Sequence, residues 1–115
     1  RKLAEINGVD PGQIILGNGS NELLNLIAYT YLTDSDSAVM AAPSFVVYPL
    51  ATQSVGARSI QLPLTTGYRH DLAGMAAAAT SDTKVIFIAN PNNPTGTINT
   101  SVEFAAFMER VPEGV

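Results

Sequence analysis

Cysteine is absent from this 115-residue chain, which excludes a disulfide scaffold and a thiolate metal site. There is one histidine, His70, too few for a histidine-based zinc site. Charged residues make up only 14% of the chain and the net charge is −4, so no basic surface is on offer to nucleic acid. No apolar run reaches the ~18 residues that a membrane span needs. No stretch has the pattern of a secretory leader. The expectation is a cytoplasmic protein with neither a membrane nor a nucleic-acid partner. Lysine is scarce too, limited to Lys2 and Lys84. What is present is 46% hydrophobic, enough for one compact α/β unit. There is no internal repeat and no low-complexity linker. Arg1 to Ile6 reads as the tail of a helix already under way, and Pro112 to Val115 as a loop entering a further strand. Both ends suggest an internal piece of a longer protein, with residues 1–115 a single domain truncated on either side.

The local signals alternate. A first helix stops near Asn7-Gly8, and Val9 to Gly12 turns. Ile14 to Leu16 is a brief extended run into Gly17. Ser20 or Asn18 can cap a helix that runs to about Leu32. Its apolar residues surround much of the circumference, which predicts burial on two sides. Ala38 to Ala42 is a strand closed by Pro43. Tyr48-Pro49 opens a helix that ends near Gly56. Arg58 to Leu62 is a strand stopped by Pro63. Asp71 caps a helix carrying Leu72, Met75, Ala76 and Ala79 at helical spacing. Val85 to Ala89 is a short apolar strand. Thr100 and Glu103 form a capping box ahead of an apolar stripe of Phe104, Phe107, Met108 and Val111. Strands and helices in alternation predict a three-layer α/β/α arrangement with a largely parallel sheet.

The densest signal is Asn90-Pro91-Asn92-Asn93-Pro94-Thr95-Gly96, directly after the Val85–Ala89 run. Two prolines and a glycine end the strand and stiffen the loop. Three asparagines supply donors and acceptors without charge. A rigid loop at the carboxyl end of a strand is where open α/β sheets place ligand contacts. A second signal is Gly17-Asn18-Gly19-Ser20-Asn21, which leads into a helix. Free N–H groups and the dipole at a helix start attract anions. The loop is not a Walker A motif, since no Gly-Lys-Ser/Thr follows. It is not a dinucleotide fingerprint either, because Glu22 replaces the third glycine. By itself it reads equally as an ordinary capped turn, with Glu22 a partner of the first turn. Phe45, just beyond the strand ending at Ala42, reads by itself as core.

The asparagine heptad resembles the signature of the fold-type I aminotransferases, which use pyridoxal 5'-phosphate (PLP). Ile14 to Leu23, Pro43-Ser44-Phe45 and Asn90 to Thr97 occur in that family's order and at about its spacing. Gly17 to Ser20 points to the histidinol-phosphate and aromatic aminotransferase branch. The resemblance implies a partial large, PLP-binding domain. It assigns Gly19, Ser20 and Asn21 to the cofactor phosphate. It assigns Phe45 to stacking on the pyridine face, worth about 0.5–1.5 kcal/mol beyond burial. Asn93 matches the asparagine that donates to the negatively charged ring oxygen. Asn90 and Asn92 are left to hold the loop. Tyr48 and Tyr68 are expected to pack, and His70 to be exposed or to cap. Nothing in the spacing makes Arg58 or Arg69 a substrate ligand.

The family's Schiff-base lysine, its aspartate at the pyridine nitrogen and its substrate-carboxylate arginine all lie downstream of the heptad, beyond Val115. Lys84 opens the strand whose far end carries the asparagines, roughly 16 Å away at ~3.3 Å per residue, so it cannot serve. No catalytic residue is therefore expected within residues 1–115, and the segment alone should be inactive. The resemblance implies a homodimeric transaminase that moves an amino group from histidinol phosphate or an amino acid to 2-oxoglutarate. Aromatic amino-acid transfer, decarboxylation of an amino-acid phosphate and a non-catalytic PLP-binding sensor are the alternatives.

Overall fold

Three parallel strands stand side by side in the computed structural model, which describes all residues 1–115. They are β1 (Ser37–Ala42), β2 (Arg58–Pro63) and β3 (Thr83–Phe87), in the order β2-β1-β3. The central strand pairs in parallel with both neighbours. Ser37 stands opposite Arg58 and Ala42 opposite Pro63 on one side, and Met40 stands opposite Phe87 on the other. Parallel strands need crossovers, and helices supply them. These are α3 (Val47–Ser54) between β1 and β2, and α4 (Leu72–Ala78) between β2 and β3. Before the sheet come α1 (Lys2–Asn7), a 3₁₀ turn at Pro11–Gln13 and α2 (Gly19–Tyr31). After it comes α5 (Ser101–Met108).

β1 is covered on both faces. Ser37 to Ala41 are all buried, as expected of the middle strand of a parallel sheet. Ala38 and Met40 join Ala28 and Leu32 from the α2 side and Tyr48 and Ala51 of α3 in one core. Val39, pointing the other way, joins Leu72, Met75 and Ala76 of α4 and Phe107 of α5 in a second. The architecture is the α/β/α sandwich that the alternation predicts. At the base of the sheet the Ser37 and Thr83 hydroxyls pair at 2.9 Å, both fully buried. Each satisfies the other where water cannot reach.

Two local expectations need correction. β3 runs from Thr83 to Phe87 rather than from Val85 to Ala89. Its pairing with β1 ends at Met40–Phe87, so Ile88 and Ala89 already belong to the outgoing loop. α2 is covered on one side only: Ala28 is its sole buried residue, while Leu26, Ile27, Tyr29 and Tyr31 are exposed. A three-stranded sheet offers that helix one apolar face. The α5 stripe stands as expected, since Phe104, Phe107, Met108 and Val111 line one groove, with Phe107 buried and Phe104 and Met108 exposed. Gly8 closes α1 in the left-handed conformation, φ 64°, and the capping roles of Asp71, Thr100 and Glu103 stand as expected. No helix is long and apolar enough to cross a membrane.

Packing of this kind makes core truncations costly. Met75 is fully buried, and Met75→Ala should cost about 2–5 kcal/mol. Leu50→Ala, at a 57% exposed position of α3, should stay within about 0.5 kcal/mol of wild type. Denaturant titration of the two variants decides; equal midpoints would mean that the α4 face of the sheet is not a packed core.

Candidate cofactor-binding cleft

The carboxyl ends of β1 and β3 open beside the amino end of α2. Between them lies a cleft of about 380 Å³, lined by Ser20, Leu23, Leu24, Phe45, Tyr48, Ala89 and Asn93. Three residues singled out from the sequence, Ser20, Phe45 and Asn93, therefore share one wall. Gly19 and Asn21 flank Ser20 in the chain and are exposed, but they do not line the cleft.

α2 begins in a way that suits an anion. Asn18 is its N-cap residue, yet no side chain caps the helix. α1 and α3 likewise lack a side-chain cap, whereas α4 and α5 are capped by Asp71 and Thr100. Of the first-turn N–H groups of α2, which no helix satisfies internally, that of Gly19 donates to the Gly17 carbonyl at 3.0 Å, and no side chain has claimed those of Ser20 and Asn21. Gly19 takes φ +79°, and a Cβ there would meet nothing within 4 Å. Its backbone faces open space in a conformation that glycine adopts without strain. Gly17 is tight instead: a Cβ would come within 2.8 Å of Leu23, so it lets the loop lie against the cleft wall. The Glu22 carboxylate accepts the Asn18 N–H at 2.5 Å, consistent with a first-turn partner of the helix.

The aromatic wall is braced from behind. Tyr48 stacks on Phe87 of β3 with ring centroids 4.8 Å apart and planes within 10°. Phe45 meets Tyr48 edge-on at 5.7 Å. Both are favourable aromatic geometries, and they hold the half-buried Phe45 ring through α3 to the sheet. Burial pushes the Tyr48 hydroxyl pKa up, so that group stays neutral.

The asparagines divide their work. Asn90 donates to the Asn99 carbonyl and accepts the Asn99 N–H, both at 2.9 Å. Asn92 is 2% exposed. It accepts from the Ser44 hydroxyl at 2.8 Å and donates to Thr95 Oγ1 at 2.9 Å and to the Pro43 carbonyl at 3.3 Å. Both amides are spent on loop structure. Asn93 is exposed and lines the cleft with no protein partner for its side chain. A neutral donor held on a rigid loop and left free is suited to meet a ligand oxygen.

Two residues depart from expectation: Tyr68, expected to pack, is 66% exposed, and His70 is buried. His70 is 3% exposed, neither surface nor cap, because its ring tucks under the chain leaving β3 and lies 2.8 Å from the Ala89 carbonyl. Its place in the polar run Tyr68-Arg69-His70-Asp71 carries no sign of burial. Arg69 is structural: Nε donates to the Ile98 carbonyl at 2.8 Å and Nη2 pairs with Glu103 at 2.5 Å. Tyr48 packs as expected and also lines the cleft. Lys84 is exposed and its ammonium donates to the Ser81 carbonyl, at the end of β3 remote from the asparagines.

The comparisons with known proteins converge. The family described as "Aminotransferase class I and II" matches residues 1–114. Histidinol-phosphate aminotransferase 1 of Idiomarina loihiensis is 47% identical over 114 residues, covering 99% of this chain and 31% of that protein. The enzyme of the same name from Dechloromonas aromatica is 52% identical over 114 residues, with the same coverage. Among solved structures, histidinol-phosphate aminotransferase from Sinorhizobium meliloti in complex with pyridoxal-5'-phosphate superposes with a TM-score of 0.90 at 26% identity. It covers 98% of this chain and 31% of the other. The chain thus spans about a third of the length of the relatives it matches.

The start of α5 carries a pH dependence of its own. Hydrogen bonds from the Thr100 N–H and hydroxyl, then from Arg69, hold the Glu103 carboxyl down from 4.5 to about 2. A carboxylate depressed in the folded state stabilises fully above its unfolded value and loses that contribution as pH falls through its folded one. The stabilisation should therefore be complete above pH 4.5 and fade toward pH 2. Thr100→Val should raise the Glu103 pKa and move the loss to higher pH. Carboxyl-carbon NMR titration reads this directly, and an unchanged Glu103 pKa in the variant would refute the contribution of the Thr100 hydroxyl.

Proposed function

Because this chain belongs to the class I and II aminotransferase family, we propose that it is the cofactor-binding segment of a longer PLP-dependent histidinol-phosphate aminotransferase. The observation that carries the reading is the cleft wall shared by Ser20, Phe45 and Asn93. It brings a hydroxyl beside an uncapped helix start, a braced aromatic ring and an unpartnered amide to one place. Those are the donors that a phosphorylated, planar, anionic ring requires. The relatives' names support the amino donor, and the coverage of a third of their length supports a partial large domain. A cytoplasmic homodimer acting in histidine biosynthesis completes the proposal.

Bound PLP supplies the electron sink that amino transfer needs. The chain's own residues hold and tune it. The first-turn N–H groups of α2, with Gly19, Ser20 and Asn21, take the phosphate, where helix dipole and hydrogen bonding act together. Phe45 would offer its ring face to the cofactor's ring. Asn93 donates to the ring oxygen and favours its deprotonated form. Leu23 and Leu24 keep water from the flank of the cleft. The amine and acid that the chemistry also needs are contributed from outside residues 1–115. Lys84 sits at the wrong end of β3.

The full-length protein should transfer the amino group of histidinol phosphate to 2-oxoglutarate, whereas residues 1–115 with added PLP should not exceed the free-cofactor rate. Preference for phenylalanine or tyrosine, or release of carbon dioxide from an amino-acid phosphate, would replace the substrate assignment. Turnover by the 115-residue chain would overturn the division of labour.

Asn93→Ala in the full-length protein should shift the pH titration of the bound cofactor's visible absorbance more than it weakens cofactor retention. Loss of one charge-assisted hydrogen bond costs about 1.5–3 kcal/mol, or roughly one to two pKa units. The amide stabilises the deprotonated form, so its removal should raise the pKa. A spectrophotometric titration that shows no change, or a fall, would make Asn93 a loop residue.

A further inference from the structure

We propose that His70 is a positioning residue for the cleft, acting through the asparagine loop to set where the Asn93 amide stands. The inference rests on the cofactor reading above. Asn93 makes no bond of its own to the protein, so its place is inherited from the anchors of the loop around it. Those anchors are the Asn92 amide, tied to Ser44, Pro43 and Thr95, and three consecutive residues ahead of α4, Tyr68, Arg69 and His70.

The Tyr68 carbonyl accepts from Thr97 Oγ1 at 2.6 Å and from Thr95 Oγ1 at 3.2 Å. Arg69 Nε donates to the Ile98 carbonyl at 2.8 Å. The His70 carbonyl accepts from Asn99 Nδ2 at 3.1 Å, and Asn99 in turn is bonded twice to Asn90. These contacts hold the outgoing side of the loop. The His70 ring alone among the three reaches the incoming side, at the Ala89 carbonyl. Ala89 is itself on the cleft wall, four residues before Asn93.

The chemistry of that contact is directional. A carbonyl oxygen only accepts, so His70 Nε2 must carry the proton and donate. The ring's other nitrogen, Nδ1, is buried with no partner. A buried histidine left with one nitrogen unsatisfied costs stability, and an aliphatic side chain would fill the same space without that cost. The polar ring is accounted for by the one bond that it does make. Small displacements of a ligand-facing group are costly to function, and the hinge between β3 and the asparagine loop is where such a displacement would begin.

The test uses the full-length protein with PLP and reads the pH titration of cofactor absorbance alongside thermal unfolding. His70→Leu removes the donor, and His70→Gln keeps an N–H at similar reach. His70→Leu should raise the cofactor pKa in the same direction as Asn93→Ala, by about threefold or more in proton affinity. His70→Gln should return it toward wild type. In an Asn93→Ala background, His70→Leu should add no further shift. If Asn93→Ala shifts the titration and His70→Leu does not, or if the two shifts add, His70 is a packing residue and the proposal is overturned. If Asn93→Ala itself has no effect, or PLP is not taken up, the cofactor reading fails and the proposal with it. Should His70→Leu not fold, His70→Phe, which keeps the ring's bulk and removes the donor, is read in its place: a raised cofactor pKa supports the positioning role and a wild-type titration overturns it.

Discussion

The buried amide of Asn92 is the contact on which the cleft depends. It accepts from Ser44 and donates to Pro43 in the loop beyond β1, and donates to Thr95 within its own loop beyond β3. Two loops that leave adjacent parallel strands are thereby tied at their bases by one fully satisfied polar group. Satisfaction matters because a buried amide left unpaired costs about 1–3 kcal/mol. The tie makes the separation of Phe45 and Asn93 a property of the sheet rather than of two independent loops. The sheet itself is rigid where it counts, since β1 is buried on both faces.

The two sides of the sheet divide between structure and ligand. On the α4 and α5 side the helix starts are closed by Asp71 and by the Thr100–Glu103 box, and Arg69 clasps Glu103. On the α2 side the helix start is open, and the aromatic stack from Phe87 through Tyr48 delivers Phe45 to the cleft. An uncapped helix end is a local loss of stability that a bound anion recovers. The same reasoning separates the asparagines: Asn92 commits both of its N–H donors to the loop, Asn90 commits one donor and its oxygen, and Asn93 commits neither.

Much was legible without coordinates. The alternation of apolar runs with Pro, Gly and Asp breaks predicts the α/β/α order, and the helix caps at Asp71 and Thr100 were readable because capping is a local matter of a few residues. The family resemblance implies a shared role for Ser20, Phe45 and Asn93, and the fold brings those three side chains to one cleft. The errors were tertiary in origin. The end of β3 depends on where its pairing with β1 stops, at Met40–Phe87, two residues short of the end of β1. The exposure of α2 depends on how many strands lie beneath it. The burial of His70 depends on a loop nineteen residues further along the chain.

Residue order by itself determined the elements, their sequence along the chain and the identity of the donors, because periodicity, capping and turn chemistry act over a few residues. Tertiary structure alone decided which donors remain free. Asn90, Asn92 and Asn93 are chemically the same side chain, and only the partners that folding brings, Asn99, Ser44, Pro43 and Thr95, separate two structural amides from one that faces the cleft. Hydrogen-bond satisfaction is a property of neighbours in space.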